Sequence, residues 1–293
     1  MSEKPRSHSH GHHHDDEHEI DGGLVHDLPV FARRRMITLL AGASMAPLLA
    51  ACSSGSEDSP SSSSSSSGSS SPGSSSSGAS STGSDCEVIP EETAGPYPGD
   101  GSNGVNVLEE SGVVRSDITK SFGSADGVAE GVPLTITLTV VDQASGCETP
   151  KEGAAVYLWH CDREGNYSLY SEGVTEENYL RGVQETDEKG QVTFTSIFPG
   201  CYPGRWPHIH FEVYGSIDDA TAAQNIVATS QLAFPKDVCD TVYATDGYSE
   251  SVPNLGRLSL ETDGIFSDGY DQQLAATEGS TDKGYTATLT VPV

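Results

Sequence analysis

The chain has 293 residues, with 43 acidic against 15 basic side chains, a formal net charge of −28 and 34% hydrophobic residues. That length fits one domain of ordinary to large size, or two small ones. The acidic excess argues against nucleic acid or an anionic membrane surface as partner, since both call for a Lys/Arg face. After Asp85 the count is 33 acids against 10 bases, so the compact part itself carries about −23, a statement about solubility and not about fold.

Residues 1–35 are polar and carry seven histidines between His8 and His26, ending in Phe31-Ala32-Arg33-Arg34-Arg35. The histidines read either as a polar leader region or as ligands for a transition metal. An apolar run follows from Met36 to Ala51. Sixteen helical residues rise about 24 Å, short of the roughly 20 residues a bilayer core asks for. A signal peptide is the reading for residues 1–51, with an uncleaved anchor helix as the other possibility. Arg33-Arg34 before Arg35-Met36-Ile37 resembles a twin-arginine export signal, with Ala32 where Ser or Thr is more usual. Leu49-Ala50-Ala51-Cys52 resembles a lipobox, which implies lipidation of Cys52. Both readings place the remainder outside the cytoplasmic membrane, at the cell surface or in the periplasm; with the signal cleaved, lipidated Cys52 is its only membrane attachment.

Residues 53–85 contain 21 Ser among 33 positions and hardly any apolar side chain. Nothing there offsets the entropy of ordering, so residues 52–85 are expected to be a disordered tether. Of six cysteines, five remain beside Cys52: Cys86, Cys147, Cys161, Cys201 and Cys239. In an oxidising compartment an odd number implies one or two disulfides with at least one thiol left over. No C-x-x-C spacing occurs, which argues against a zinc or iron-sulfur site built on cysteine.

Residues 86–293 read as one domain made mostly of strands. Pro133 to Asp142, Ala154 to Cys161, Gln191 to Phe198, His208 to Tyr214, Asn225 to Phe234 and Tyr285 to Val293 alternate apolar and small polar residues and are rich in Thr, Val, Tyr and Phe. Gly, Pro and Asp separate them. The pattern predicts an all-β fold, an antiparallel β-sandwich with few short helices.

Two short stretches hold the chemistry. In Pro199-Gly200-Cys201-Tyr202-Pro203-Gly204-Arg205-Trp206-Pro207-His208-Ile209-His210-Phe211 a Pro/Gly loop delivers Tyr202 and Arg205 just before a strand. Residues i and i+2 of a strand share a face, so His208 and His210 project together and can bind one metal. Glu212 shares that face and is a rival ligand. The second stretch, Trp159-His160-Cys161-Asp162-Arg163-Glu164-Gly165-Asn166-Tyr167-Ser168, ends a strand in a polar turn that presents Tyr167. His160 points away from Trp159 and is read as structural, whereas Trp206 fits core packing and pocket wall equally.

These stretches resemble the signature of intradiol ring-cleavage dioxygenases, in particular a secreted branch. Thr93-Ala94-Gly95-Pro96-Tyr97 is similar to the family's T-x-G-P-Y segment and Arg115-Ser116-Asp117-Ile118 to its R-x-D-I segment. Thr229 to Phe234 and Asp263-Gly264-Ile265-Phe266 look like its closing strands. The resemblance spans residues 86–293. It implies a non-haem Fe(III) centre with Tyr167, Tyr202, His208 and His210 as ligands, Tyr202 and His210 being axial. It further implies a catechol-type substrate cleaved by O2 to a muconate-type dicarboxylic acid. Tyr202 would be released as a base, and Arg205 would stabilise negative charge on the ring. Only five residues separate Tyr202 from His208, fewer than in the large cytoplasmic members, so the loop beside the substrate is expected to be trimmed. Their N-terminal helical dimer domain has no counterpart, which leaves a monomer or contacts through the sandwich open. A bridge between Cys161 and Cys201 would lock the two ligand loops together. The reading from another class is a non-catalytic cell-surface lipoprotein that binds an aromatic ligand or a partner.

Overall fold

The computed structural model describes residues 86–293. The leader with its histidines, Cys52 and the Ser-rich segment lie outside the described residues.

Nine strands form two sheets. They are β1 (Pro133–Asp142), β2 (Thr149–Pro150), β3 (Ala155–Trp159), β4 (Arg181–Glu185), β5 (Gln191–Ile197), β6 (His208–Tyr214), β7 (Ile226–Ala233), β8 (Ala276–Ser280) and β9 (Gly284–Pro292). One sheet runs β2-β1-β9-β8 with β5 also paired to β1, and the other runs β4-β3-β6-β7. Period-2 alternation explains how they stack. Leu134, Ile136, Leu138 and Val140 of β1 and Tyr285, Ala287, Leu289 and Val291 of β9 share one core with Val156 and Leu158 of β3 and Ile209, Phe211 and Val213 of β6. The sandwich is therefore as expected, and all pairings but one are antiparallel: β9 pairs parallel to β1, from Leu134↔Tyr285 to Val141↔Pro292. Two short helices follow β7, α1 (Lys236–Tyr243) and α2 (Ser251–Leu255).

Both faces of the β4-β3-β6-β7 sheet are covered, which decides where a site can form. Its second face presents Tyr157, Trp159 and Tyr214 to a separate apolar layer that includes Val107, Leu108, Val113 and Tyr167. The segment before β1 supplies much of this layer. Arg115 lies against the Phe122 ring at 4.6 Å and donates to the Arg181 carbonyl, while Ile118 is buried in the core between the two sheets.

Cysteine pairing differs from one expectation. Cys86 is bonded to Cys147, tying the start of the domain to the turn after β1. Cys161 and Cys201 are buried free thiols, as is Cys239. The Cys161 thiol points at the Gly200 carbonyl at 3.6 Å and the Cys201 thiol at the Arg205 carbonyl at 3.6 Å, so each is directed to backbone and the loops that carry Tyr167 and Tyr202 are not bridged. The loops are joined instead by Gly200 N–H donating to the Asp162 carbonyl at 2.9 Å.

His160 has the structural role expected of it. Its Nδ1 meets the Cys161 carbonyl at 2.7 Å and its Nε2 the Ser196 hydroxyl at 2.7 Å. A carbonyl only accepts, so Nδ1 carries the proton and Nε2 accepts from Ser196. Burial pushes its pKa down to about 4, whereas the unfolded chain takes up that proton near 6.5. The unfolded state thus binds more protons between these values, and stability falls as pH drops through that window, by about 3 kcal/mol for this group. In urea titrations, His160→Gln should flatten the loss of stability between about pH 6.5 and 4. Equal slopes for wild type and variant would show that His160 does not carry it.

Candidate metal centre

β6 is buried along its whole length. Its even-numbered face brings His208 and His210 side by side, with ring centroids 4.7 Å apart and their Nε2 atoms 3.1 Å apart. The Tyr202 hydroxyl is 3.2 Å from His208 Nε2. Tyr167 reaches the same point from the loop after β3, its ring 5.9 Å from Tyr202 and 6.3 Å from His210. Four side chains from two separate stretches therefore converge, in the set the sequence reading proposed.

Proton positions favour a cation between them. His208 Nδ1 donates to the Trp206 carbonyl, which leaves the Nε2 lone pair facing the centre, the arrangement in which backbone fixes the tautomer of a metal-ligating imidazole. Burial, then the Arg205 charge, holds His208 well below the ordinary histidine range; burial, His208 and Arg205 do the same for His210. The Tyr167 hydroxyl is buried and has no partner of good hydrogen-bond geometry. Burial, then the neighbouring Tyr202, pushes its pKa well up. An orphaned buried hydroxyl is costly, and a trivalent cation relieves that cost by taking the phenolate form. Among the described residues no group of three or more His, Cys, Asp or Glu is placed to hold a metal, so the phenols must complete any set here. Two imidazole nitrogens and two phenol oxygens fit a hard ferric ion. Glu212, the rival, is turned elsewhere: it accepts from the Tyr214 hydroxyl at 2.7 Å, and burial, then Asp100, raises its pKa to about 8.

Surrounding residues fix these groups. Trp159, paired across the sheet with His210, stacks on its ring at 4.9 Å and 5°. Arg205 is buried, donating to Asp263 Oδ2 at 3.2 Å and to Gln231 Oε1 at 2.7 Å. Gln231 in turn donates to the Thr93 carbonyl at 2.9 Å. This lays the Thr93–Tyr97 segment over the centre as a strap. Gly95 sits there at φ +68°, where a Cβ would lie 3.3 Å from His210 Cε1, so a side chain would crowd the His210 ring. Tyr97 closes the side, 5.0 Å from Tyr167. Trp206, for which two roles were open, packs in the core with its indole N–H on the Phe234 carbonyl at 2.9 Å.

Sequence reasoning missed Trp159, Gln231 and Asp263 as supports. The first two share the face of His210 as its cross-strand partners, a register that alternation within one strand does not reveal. Asp263–Phe266, expected to be strand, is a loop leading into a short 3₁₀ turn, Phe266–Asp268. Asp263 itself folds that loop, accepting from the backbone N–H of Ile265 and Phe266.

A protein-family model described as dioxygenase matches residues 114–247, the span that contains all four converging side chains. The chain is similar to the intradiol ring-cleavage dioxygenases. An intradiol ring-cleavage dioxygenase from Tetranychus urticae superimposes with a TM-score of 0.54 at 28% identity, over 71% of this chain and 94% of that one. The beta chain of protocatechuate 3,4-dioxygenase from Burkholderia cepacia is 26% identical over 171 residues, 53% of this chain and 67% of the relative. Chlorocatechol 1,2-dioxygenase from Rhodococcus opacus is 39% identical over 54 residues, and that match spans only 21% of its length. The likeness thus spans the sandwich and the part of the domain that holds the four converging side chains.

Proposed function

We propose that this chain cleaves a catechol-type ring between its two hydroxyl-bearing carbons with O2, at a ferric ion held by Tyr167, Tyr202, His208 and His210. The observation that carries the reading is the buried Tyr167 hydroxyl beside two neutral imidazoles whose Nε2 atoms lie 3.1 Å apart and a second phenol 3.2 Å from one of them. Bound there, Fe(III) would supply Lewis-acid activation of the catecholate toward O2. Tyr202 is the half-buried member of the set, so its phenolate is the one placed to leave and take the proton of an incoming hydroxyl. Arg205, held by Asp263 and Gln231, keeps its charge beside the ring as negative charge develops there. Trp159 and the Gly95 strap hold His210 in one orientation, and Tyr97 limits water on the open side. The location proposed for this activity is outside the cytoplasmic membrane, with Cys52 as lipid anchor, and it rests on residues 33–52 of the sequence alone.

Iron-loaded protein should show a visible tyrosinate-to-iron charge-transfer band, and with catechol it should consume one O2 per ring and yield a muconate-type product. A colourless protein that binds catechol without oxygen uptake would instead support a binding module.

A further inference from the structure

The backbone leading into Tyr202 is held by side chains that the mechanism above does not use. The Phe198 carbonyl accepts from the Tyr248 hydroxyl at 2.8 Å and the Pro199 carbonyl from the Tyr243 hydroxyl at 3.1 Å. Cys201 N–H donates to Ser251 Oγ at 2.9 Å, and its carbonyl accepts from Asn254 Nδ2 at 2.8 Å. All four side chains lie between the end of α1 and the end of α2. Gly200 completes the run: its N–H is taken by Asp162, and a Cβ at that position would lie 2.6 Å from the Arg163 carbonyl.

Four successive residues are thus fixed, and the last is the one before Tyr202. On the far side Asp263 holds both the Arg205 side chain and the Trp206 N–H, the latter at 2.6 Å. Between these anchors stand Tyr202, Pro203 and Gly204, the last at φ +87° with open space around its Cα. Ser251 and Asn254 both lie beyond the residues that match the family model.

We propose that Ser251 and Asn254 are positioning residues for Tyr202. By pinning both backbone groups of Cys201, they confine any swing of the phenol to residues 202–204, so that it leaves and returns to one place. This rests on the reading of Tyr202 as a metal ligand that substrate displaces.

Asn254→Asp keeps the shape but sets a carboxylate against the Cys201 carbonyl, and Ser251→Ala removes the acceptor for the Cys201 N–H. Each should shift the visible band of the ferric protein and lower kcat about five- to tenfold, the scale of one hydrogen bond. Asn254→Gln, which keeps the amide donor, should return both toward wild type. A merely structural role would lower the thermal midpoint of the iron-free variants and leave the band of folded protein where it is. An unshifted band with unchanged kcat in both variants overturns the inference. Tyr202→Phe separates the two layers. If it alters the band while the clamp variants do not, only the clamp is wrong; if it leaves the band untouched, the ligand assignment falls and the clamp with it.

Discussion

Tyr167→Phe is expected to abolish the visible band and ring cleavage while leaving the iron-free protein at least as stable as wild type. The two effects come from the same atom. Its hydroxyl is buried beside Tyr202 without a hydrogen bond of good geometry, a state that costs about 1–3 kcal/mol. Phenylalanine keeps the ring that packs beside Tyr97 and Tyr202 and deletes only the orphaned oxygen. The urea midpoint of the iron-free variant should therefore stay or rise, by about 1 kcal/mol in unfolding free energy. Activity should fall by more than the roughly 10²–10³-fold that loss of one preorganised electrostatic contact costs, because an anionic ligand is gone. Oxygen uptake, the visible spectrum and urea unfolding check the three parts. Retained cleavage would refute the ligand assignment, and a large loss of iron-free stability would show that the hydroxyl has a structural partner.

Asp263→Asn should have the largest effect on stability. This carboxylate is buried and serves four donors: Arg205 Nε, and the backbone N–H groups of Trp206, Ile265 and Phe266. The ion pair with Arg205 is almost wholly out of water, with side chains 3% and 0% exposed. Removing one partner of such a pair leaves a buried charge uncompensated, at a cost of about 3–5 kcal/mol. Asparagine also turns an amide N–H₂ toward groups that themselves donate. The variant should lose that much in urea unfolding and, with Arg205 no longer held, lose kcat more than KM. Removing the stranded charge as well, as Asp263→Asn with Arg205→Met, should recover part of the stability and none of the activity. A single variant within about 1 kcal/mol of wild type would mean that the pair is not the support described.

Much of this architecture can be read from alternation alone. The bounds expected for the histidine strand, His208 to Tyr214, are those observed, because both of its faces carry large side chains and a Pro/Gly loop stops it. β4 escaped notice for a physical reason: it opens on Arg181, a charged residue that is fully buried, donating to the Pro98 and Ser168 carbonyls and to the Tyr157 hydroxyl. A pattern that takes charge as a mark of the surface breaks there. Partner choice between strands is equally invisible locally. β1 and β9 have near-identical alternation, Thr-Ile-Thr-Leu-Thr-Val against Thr-Ala-Thr-Leu-Thr-Val, and nothing in either dictates that they run side by side in one direction. The four converging side chains were legible through motif order and spacing. Asp263 was not, since it lies 53 residues beyond His210 and acts by folding its own loop.

The parallel pairing of β1 with β9 bears on how the protein is made. Residues 284–292 lie in the interior of their sheet, between β1 and β8. The edge of β1 that β9 covers therefore stays open until residues 284–292 are in place. Joining segments so distant in sequence is slow and leaves half-built chains prone to sticking together. Ribosome-bound intermediates should accordingly stay sensitive to protease until this stretch has emerged, and the sheet should lock late and all at once.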